Sequence, residues 1–237
     1  EADTKPGGML VSGVPAYRLP REILHKEIRS LIDDNVTLKL ATALGRDFTV
    51  DTLFAEGYKA VFLALGAHRS RKLSVEGEDA EGVYPSMRFL KAWNLEDRQV
   101  ARGKVGVIGG GNSAVDAARV ALRQPGVEGV TILYRRTRNE MSAFAAEIDA
   151  ALEEGIELVT LVSPARVVTE GGHVSGIELV RNQLGEVDTS GRRRPVPMEG
   201  SRYTVSLDTL VVAIGEQLQQ FPHDGSEGIE MQKWGAI

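Results

Sequence analysis

The segment GKVGVIGGGNSAVDAARVAL, residues 103–122, constrains the fold more than any other part of the sequence. An apolar run at 105–108 predicts a buried strand, and three consecutive glycines, Gly109, Gly110 and Gly111, follow it directly. Small and apolar residues at helical spacing over 113–123 predict a helix that begins where the glycines end. A further apolar run at 130–134 predicts the next strand, so the order indicates a βαβ crossover in a parallel sheet.

The glycine turn matches the G-x-G-x-x-A pattern of dinucleotide-binding sites. In that pattern Gly109 allows a tight turn, Gly111 lets the backbone approach a pyrophosphate, and Ala114 lets helix and strand pack closely. Backbone N–H groups at the helix start, near Asn112 and Ser113, favour phosphate, as does the positive end of the helix dipole. A glycine turn before a helix can also be a plain connection, and the sequence leaves that alternative open.

The residues after the second strand distinguish between two nicotinamide cofactors. An NAD site carries Asp or Glu there, hydrogen-bonded to the ribose 2′-hydroxyl, whereas this strand ends in Arg135 and Arg136. A planar guanidinium fits a 2′-phosphate and can also stack on adenine. The pair therefore predicts NADPH, and the alternative is a solvated basic turn without a ligand.

Composition excludes several classes of function. The 33 acidic and 28 basic residues are interspersed at a net charge of −5, so we expect neither nucleic acid nor a membrane as partner. Without cysteine, the chain cannot ligate an iron–sulfur cluster in the usual way, and its 4 histidines show no metal-ligand spacing. We therefore predict no metal and no catalytic residue set. No signal peptide or membrane span is visible, and the expected location is cytoplasmic.

The segments around the crossover predict further elements. The apolar run at 60–67 predicts a strand buried on both faces of a parallel sheet. Polarity rises near residue 99, where we place a domain boundary. Beyond a predicted helix at 143–154, short β-rich runs predict an antiparallel meander, which returns to a last buried strand at 209–214. The start at Glu1, without methionine, is interpreted as that of an excised fragment.

Six segments resemble, in order and spacing, the NADPH-dependent glutamate synthase small (beta) subunit family. They are GGMLVSGVPAYRLPREIL, VFLALGAHRSRKL, GVIGGGNSAVDAAR, ILYRRTRNEMSA, GRRRPVPMEGS and VVAIGEQ. The electron-input part of dihydropyrimidine dehydrogenase is similar too. The resemblance implies an NADPH-binding domain inserted into an FAD-binding domain. It also implies that hydride passes from NADPH to the flavin and that electrons continue to iron–sulfur clusters.

This resemblance predicts the domain organisation. Residues 1–98 are expected to be a partial FAD-binding domain without its first βαβ unit, and residues 99–215 the NADPH-binding domain. Residues 216–237 are expected to begin the return to the FAD domain. The predicted fold class is therefore α/β, a Rossmann-like NAD(P)-binding domain with an antiparallel β-meander, inserted in a partial FAD-binding domain.

The resemblance also adds candidate site residues. Gly7, Gly8 and Gly66 match positions on the FAD side, and Glu1 falls where an acidic residue holds the FAD ribose. The alternative for these three glycines, and for Gly215, is a turn that needs positive φ. The candidate NADPH-binding residues are then Gly109, Gly110, Gly111, Asn112, Ser113, Arg135, Arg136 and Gly215. We read the arginines at 192–194 as a solvated hairpin tip without a catalytic role.

Three functions remain open from the sequence. The first is the NADPH-binding portion of an FAD-dependent oxidoreductase with an iron–sulfur-containing partner, such as a glutamate synthase large subunit. In that case this fragment alone is expected to be inactive and not to retain FAD. The second is a nucleotide-binding or regulatory module without flavin chemistry, and the third is an interaction domain with a vestigial site.

Overall fold

The computed structural model describes residues 1–189 and 191–218, which divide into two units. Unit 1 comprises Glu1–Arg69 and the return segment that begins at Glu216, and unit 2 comprises Ser70–Gly215. This division follows Arg69, whereas the sequence places the boundary near residue 99. The strand Val83–Pro85 pairs with Thr209–Val212 inside the sheet of unit 2, so the segment that contains it belongs to that unit.

A five-stranded parallel sheet forms the centre of unit 2. In spatial order its strands are β2 (Val83–Pro85), β10 (Thr209–Val212), β3 (Gly103–Ile108), β4 (Val127–Tyr134) and β5 (Glu157–Thr160). Three helices belong to this unit, α4 (Ser86–Glu96), α5 (Asn112–Leu122) and α6 (Ala145–Glu153). Helix α5 connects β3 to β4, so the predicted crossover and the Rossmann-like α/β fold class are confirmed.

The antiparallel meander is also present. It consists of β6 (Val162–Glu170), β7 (His173–Val187), β8 (Arg193–Pro197) and β9 (Tyr203–Ser206). Strand β7 pairs with the other three, and Gly171 and Gly172 form the turn before it with φ of +58° and +85°. That backbone conformation favours glycine.

The parallel sheet has a different cover on each face. On one face, Val107 and Ile132 pack with Val115 and Val120 of α5 in a cluster that also contains Phe89 of α4. On the other face, side chains from β3, β4 and β10 pack with the meander, in a cluster that contains Ile108, Leu133, Leu210, Ile177 and Leu179. Alternation of side chains along each strand explains why both faces are apolar.

Unit 1 contains α1 (Met9–Ser12), α2 (Arg21–Leu31) and α3 (Val50–Ala55). Thr49 is the N-cap residue of α3, as predicted, and its hydroxyl accepts a hydrogen bond from Thr52 N at 3.1 Å. Two short strands, β1 (Arg69–Ser70) and β11 (Glu216–Gln217), pair with one another.

The strand predicted at 60–67 is not found. This segment has no regular secondary structure, and Phe62 is 93% exposed. A strand needs a neighbouring strand for its backbone hydrogen bonds, and none of the described residues supplies one. Within the described part of the chain, no helix is long and apolar enough to cross a membrane.

A network of ion pairs connects α5 to α6. Arg119 bonds Glu147 and Glu154, each at 2.7 Å, and Arg123 bonds Glu154 at 2.8 Å. The hydrogen bonds from Arg123 and Arg119 lower the pKa of Glu154 from 4.5 to about 2. The network therefore holds the helix that follows the glycine turn, and its strength depends on pH.

Replacing Glu154 by glutamine is expected to lower the free energy of unfolding by about 1 kcal/mol at neutral pH. The carboxyl pKa is lower in the folded than in the unfolded chain, so the stabilisation is complete above about pH 4.5 and declines toward about pH 2. Urea unfolding at several pH values tests this, with Glu153→Gln, an exposed neighbour, as control. A difference between wild type and Glu154→Gln that stays constant down to about pH 3 contradicts the assignment.

Candidate nucleotide-binding site

The first two glycines of the turn are required by the packing of the chain itself. Gly109 has φ of +149°, and a Cβ atom there would lie 2.2 Å from the carbonyl oxygen of Ala213. A Cβ atom on Gly110 would lie 2.4 Å from the ring of Tyr134. Both contacts are impossible for a side chain, so the turn can pass this close to β4 and to the residues after β10 only with glycine.

Gly111 differs, because the chain leaves room for a side chain there. It is the N-cap residue of α5, and a Cβ atom would lie 3.4 Å from Ser142 Oγ, an ordinary contact. The packing of the described residues therefore does not require glycine here, and its role beside a pyrophosphate stays a prediction. Ala114 lies close to the turn, as its predicted packing role requires: its Cβ is 3.0 Å from the position that a Cβ atom on Gly109 would take.

The N–H groups of residues 110–113 are available to an anion. Gly109 N donates to Leu133 O, and the N–H groups of Ala114 and Val115 donate to Gly111 O. The N–H groups of the intervening residues 110–113 donate to no backbone or side-chain acceptor among the described residues. Because the start of an α-helix also carries partial positive charge, this cluster of donors suits a phosphate.

The loop after β4 closes against the glycine turn. Tyr134 Oη donates to Glu140 O at 2.7 Å, in a 3₁₀-helix of Arg138–Glu140, and Ala143 N donates to Gly110 O at 3.1 Å. Asn112 Oδ1 accepts from Phe144 N at 3.0 Å. Asn112 Oδ1 thus holds the loop, while its backbone N–H remains for a ligand.

This loop adds a residue that sequence reasoning missed. Ser142 is exposed, and its Oγ lies beside Gly111. Its position follows from the hydrogen bonds between the loop and the turn, so the local pattern gives no signal for it. The exposed Ser113 lies at the same helix start.

The two arginines after β4 have different environments. Arg136 is 3% exposed, its Nη2 forms an ion pair with Asp188 at 2.7 Å, and its Nε donates to Arg193 O at 2.7 Å. Arg135 is exposed, and no described residue accepts a hydrogen bond from its guanidinium. The prediction that both contact a 2′-phosphate is therefore corrected, since Arg136 is buried in an internal ion pair.

The backbone at Arg135 is fixed from the meander. Its carbonyl oxygen accepts from Asn182 Nδ2 at 3.0 Å, and the same amide donates to Ser163 Oγ at 2.8 Å. Burial of part of the side chain lowers the pKa of Arg135, and the charge of Arg136 lowers it further. Sequence reasoning missed Asn182, which is distant in the chain.

Gly215 lies at the same edge of the sheet as the turn. It follows β10, the neighbour of β3, and Ala213 N donates to Ile108 O at 2.8 Å at the end of that pair. Gly215 has φ of +112°, and its carbonyl oxygen accepts from Arg71 N at 3.0 Å. Its contact with NADPH stays a prediction.

The FAD-side candidates lie in unit 1. Gly7, Gly8 and Gly66 have φ of +124°, +50° and +69°, so the turn alternative accounts for each of them. The carboxylate of Glu1 accepts from Asp3 N at 2.9 Å. The described residues of unit 1 place none of these glycines between a strand and a helix, so they do not form a dinucleotide cradle by themselves.

Comparison with known proteins gives the family. Residues 10–237 match the pyridine nucleotide-disulphide oxidoreductase family. The NADP(+)-dependent formate dehydrogenase subunit beta of Moorella thermoacetica is 45% identical over 240 residues, covering 100% of this chain and 33% of that protein. The NADPH-Fe(3+) oxidoreductase subunit beta of Geobacter sulfurreducens is 42% identical, covering 98% of this chain and 35% of that protein. This chain therefore spans about a third of their length.

The predicted resemblance to the glutamate synthase small subunit is confirmed. The glutamate synthase [NADPH] small chain of Escherichia coli is 35% identical over 248 residues, covering 98% of this chain and 51% of that protein. Among solved structures, FprA of Mycobacterium tuberculosis in complex with NADPH superposes with a TM-score of 0.79 at 21% identity, covering 94% of this chain and 64% of that chain. At that identity the superposition supports the fold.

Proposed function

The chain belongs to the pyridine nucleotide-disulphide oxidoreductase family, and we propose that unit 2 binds NADPH as hydride donor for a flavin in a longer protein. The main support is that two groups suited to binding an anion follow adjacent strands of the sheet. The free N–H groups of residues 110–113 follow β3, and Arg135 follows β4, the adjacent parallel strand. The carboxyl ends of parallel strands share one edge of the sheet, where dinucleotides bind in folds of this kind.

Each residue of the turn has a separate role in this proposal. The N–H groups of residues 110–113 bond the pyrophosphate, and Gly111 provides the space for its approach. Arg135 bonds the 2′-phosphate, while Arg136 and Asn182 position it. Ser142 Oγ offers a further donor beside the turn. When bound, NADPH supplies a hydride, and the protein contributes orientation and binding.

The flavin and the iron–sulfur partner are proposals for the longer protein. Two of the relatives are named as subunits of NADP-linked oxidoreductases, and a third is named as the small chain of glutamate synthase. Such names support a partner subunit that takes up the electrons, for example a glutamate synthase large subunit. Because the described residues of unit 1 form no dinucleotide cradle by themselves, we propose that this chain alone binds NADPH without oxidising it.

Calorimetric titration of the purified chain with NADPH tests the function, combined with absorbance spectra before and after. We expect saturable binding, no flavin absorbance and no loss of NADPH absorbance over time. Failure to bind either NADPH or NADH would contradict the proposal and favour an interaction domain. A preparation that contains stoichiometric flavin would contradict the part of the proposal that concerns FAD.

A further inference from the structure

The side chain of Arg71 lies against Gly215, beyond the end of β10. Arg71 N donates to Gly215 O at 3.0 Å. A Cβ atom on Gly215 would lie 3.7 Å from Arg71 Cδ and 3.8 Å from Arg71 Nε, and both residues belong to unit 2. The backbone and the side chain of Arg71 are therefore both held beside the segment that follows β10.

This segment is also in contact with the glycine turn. Ala213 N, two residues before Gly215, donates to Ile108 O at 2.8 Å. A Cβ atom on Gly109 would lie 2.2 Å from the Ala213 carbonyl oxygen. Two residues extend the chain by at most about 7 Å, so Gly215 and the Arg71 side chain on it lie at the same edge of the sheet as the turn.

The strand order relates this position to one half of a dinucleotide. Strand β3 lies between β10 and β4, and helix α5 leads from β3 to β4. Dinucleotides bind across such a point, where the order of the strands reverses, with the pyrophosphate at the start of the helix. The proposed site uses Arg135, after β4, for the 2′-phosphate of the adenosine half. The end of β10, where Arg71 lies, is then the side that remains for the nicotinamide half.

The guanidinium of Arg71 is available to a ligand. Arg71 is exposed, and no residue within 1–189 or 191–218 accepts a hydrogen bond from its side chain or forms an ion pair with it. Its neighbour Lys72 differs, because Lys72 Nζ pairs with Asp79 Oδ1 at 2.8 Å. A guanidinium can bind a phosphate through two parallel N–H groups. The second phosphate of the pyrophosphate is the anionic group that NADPH offers on this side of the turn.

We propose that Arg71 binds NADPH through the phosphate on the nicotinamide side of the pyrophosphate. The inference rests on the proposed NADPH function of unit 2. The site then has one arginine on each side of the glycine turn, Arg135 for the adenosine half and Arg71 for the nicotinamide half. NADPH and NADH both carry the second phosphate, so Arg71 contributes affinity without distinguishing between them.

Calorimetric titrations of the whole chain test the role of Arg71. Arg71→Ala is expected to weaken NADPH and NADH binding equally, by about tenfold, and to leave the binding of adenosine 2′,5′-bisphosphate unchanged. The bisphosphate lacks the phosphate on the nicotinamide side. In contrast, 2′-phospho-ADP-ribose has that phosphate but no nicotinamide, and it should lose as much affinity as NADPH. Arg71→Lys keeps the charge and should recover part of the loss.

Lys72→Ala is the matched control. It removes an exposed positive charge next to Arg71 in the chain, and it should keep wild-type affinity for all of these ligands. Arg71→Ala retains the backbone N–H that donates to Gly215 O, so this variant is expected to be folded. Urea unfolding of both variants checks that the loss of affinity is not a loss of structure.

The outcomes separate this inference from the function on which it rests. If the wild-type chain binds neither NADPH nor the bisphosphate, the proposed function fails and the role of Arg71 fails with it. If the wild-type chain binds NADPH and Arg71→Ala keeps the full affinity, only the role of Arg71 is overturned. An equal loss for the bisphosphate would also overturn it, as would an unchanged affinity for 2′-phospho-ADP-ribose, because neither result fits a contact with the second phosphate.

Discussion

Replacing Arg135 by alanine is expected to weaken NADPH binding about tenfold to a hundredfold and to leave NADH binding unchanged. Loss of a charge-assisted hydrogen bond to phosphate accounts for an effect of this size. NADH has no 2′-phosphate, so its binding does not depend on that hydrogen bond. Arg135 is exposed, and its carbonyl is fixed by Asn182, so the substitution removes the guanidinium without removing a described hydrogen bond. Parallel titrations with the two nucleotides measure the effect.

Arg202→Ala is the control for Arg135→Ala. Arg202 is also an exposed arginine of unit 2, and it pairs with Glu178 at 2.8 Å in the meander. Its removal changes the net charge by the same amount and should leave the affinity for both nucleotides close to wild type. If Arg202→Ala and Arg135→Ala weaken NADPH binding equally, long-range charge explains the loss and a specific phosphate contact does not.

Replacing Gly109 by alanine is expected to have the largest effect on folding, a loss of about 3 kcal/mol in the free energy of unfolding. The added Cβ would lie 2.2 Å from the Ala213 carbonyl oxygen, and alanine disfavours the φ of +149°. Relief of the clash requires the turn to move away from β10, so NADPH binding should be lost as well. Chemical unfolding and calorimetry measure the two effects.

Gly129→Ala provides the matched control for Gly109→Ala. Gly129 lies in β4, its φ is not positive, and a Cβ atom there would have no neighbour within 4 Å. The same chemical change should therefore have little effect on stability or on NADPH affinity. A Gly109→Ala chain as stable as Gly129→Ala would show that the glycine turn does not have the described geometry.

The crossover could be predicted because its signals are local. Strand, glycine turn and helix follow one another within residues 103–122, and the positions of Gly109 and Ala114 indicate their packing. The different environments of Arg135 and Arg136 could not be predicted in this way. They depend on Asp188, which is 52 residues beyond Arg136, and on a hairpin whose position follows from tertiary packing.

Two of the differences between the sequence predictions and the structure have the same kind of cause. The apolar run at 60–67 has the composition of a buried strand, but no described strand lies beside it, and composition alone does not provide a partner for the backbone. The boundary at residue 99 followed a local rise in polarity. In the structure, the pairing of β2 with β10 across more than a hundred residues decides which unit the segment joins.

We propose that this chain recognises the 2′-phosphate of NADPH at the end of β4. Calorimetric affinities of the wild-type chain for adenosine 2′,5′-bisphosphate and for adenosine 5′-monophosphate test it most directly, because the two ligands differ only in that phosphate. We expect the bisphosphate to bind at least about tenfold more tightly, and the advantage to disappear in Arg135→Ala. Equal affinity of the wild-type chain for both ligands would contradict the claim.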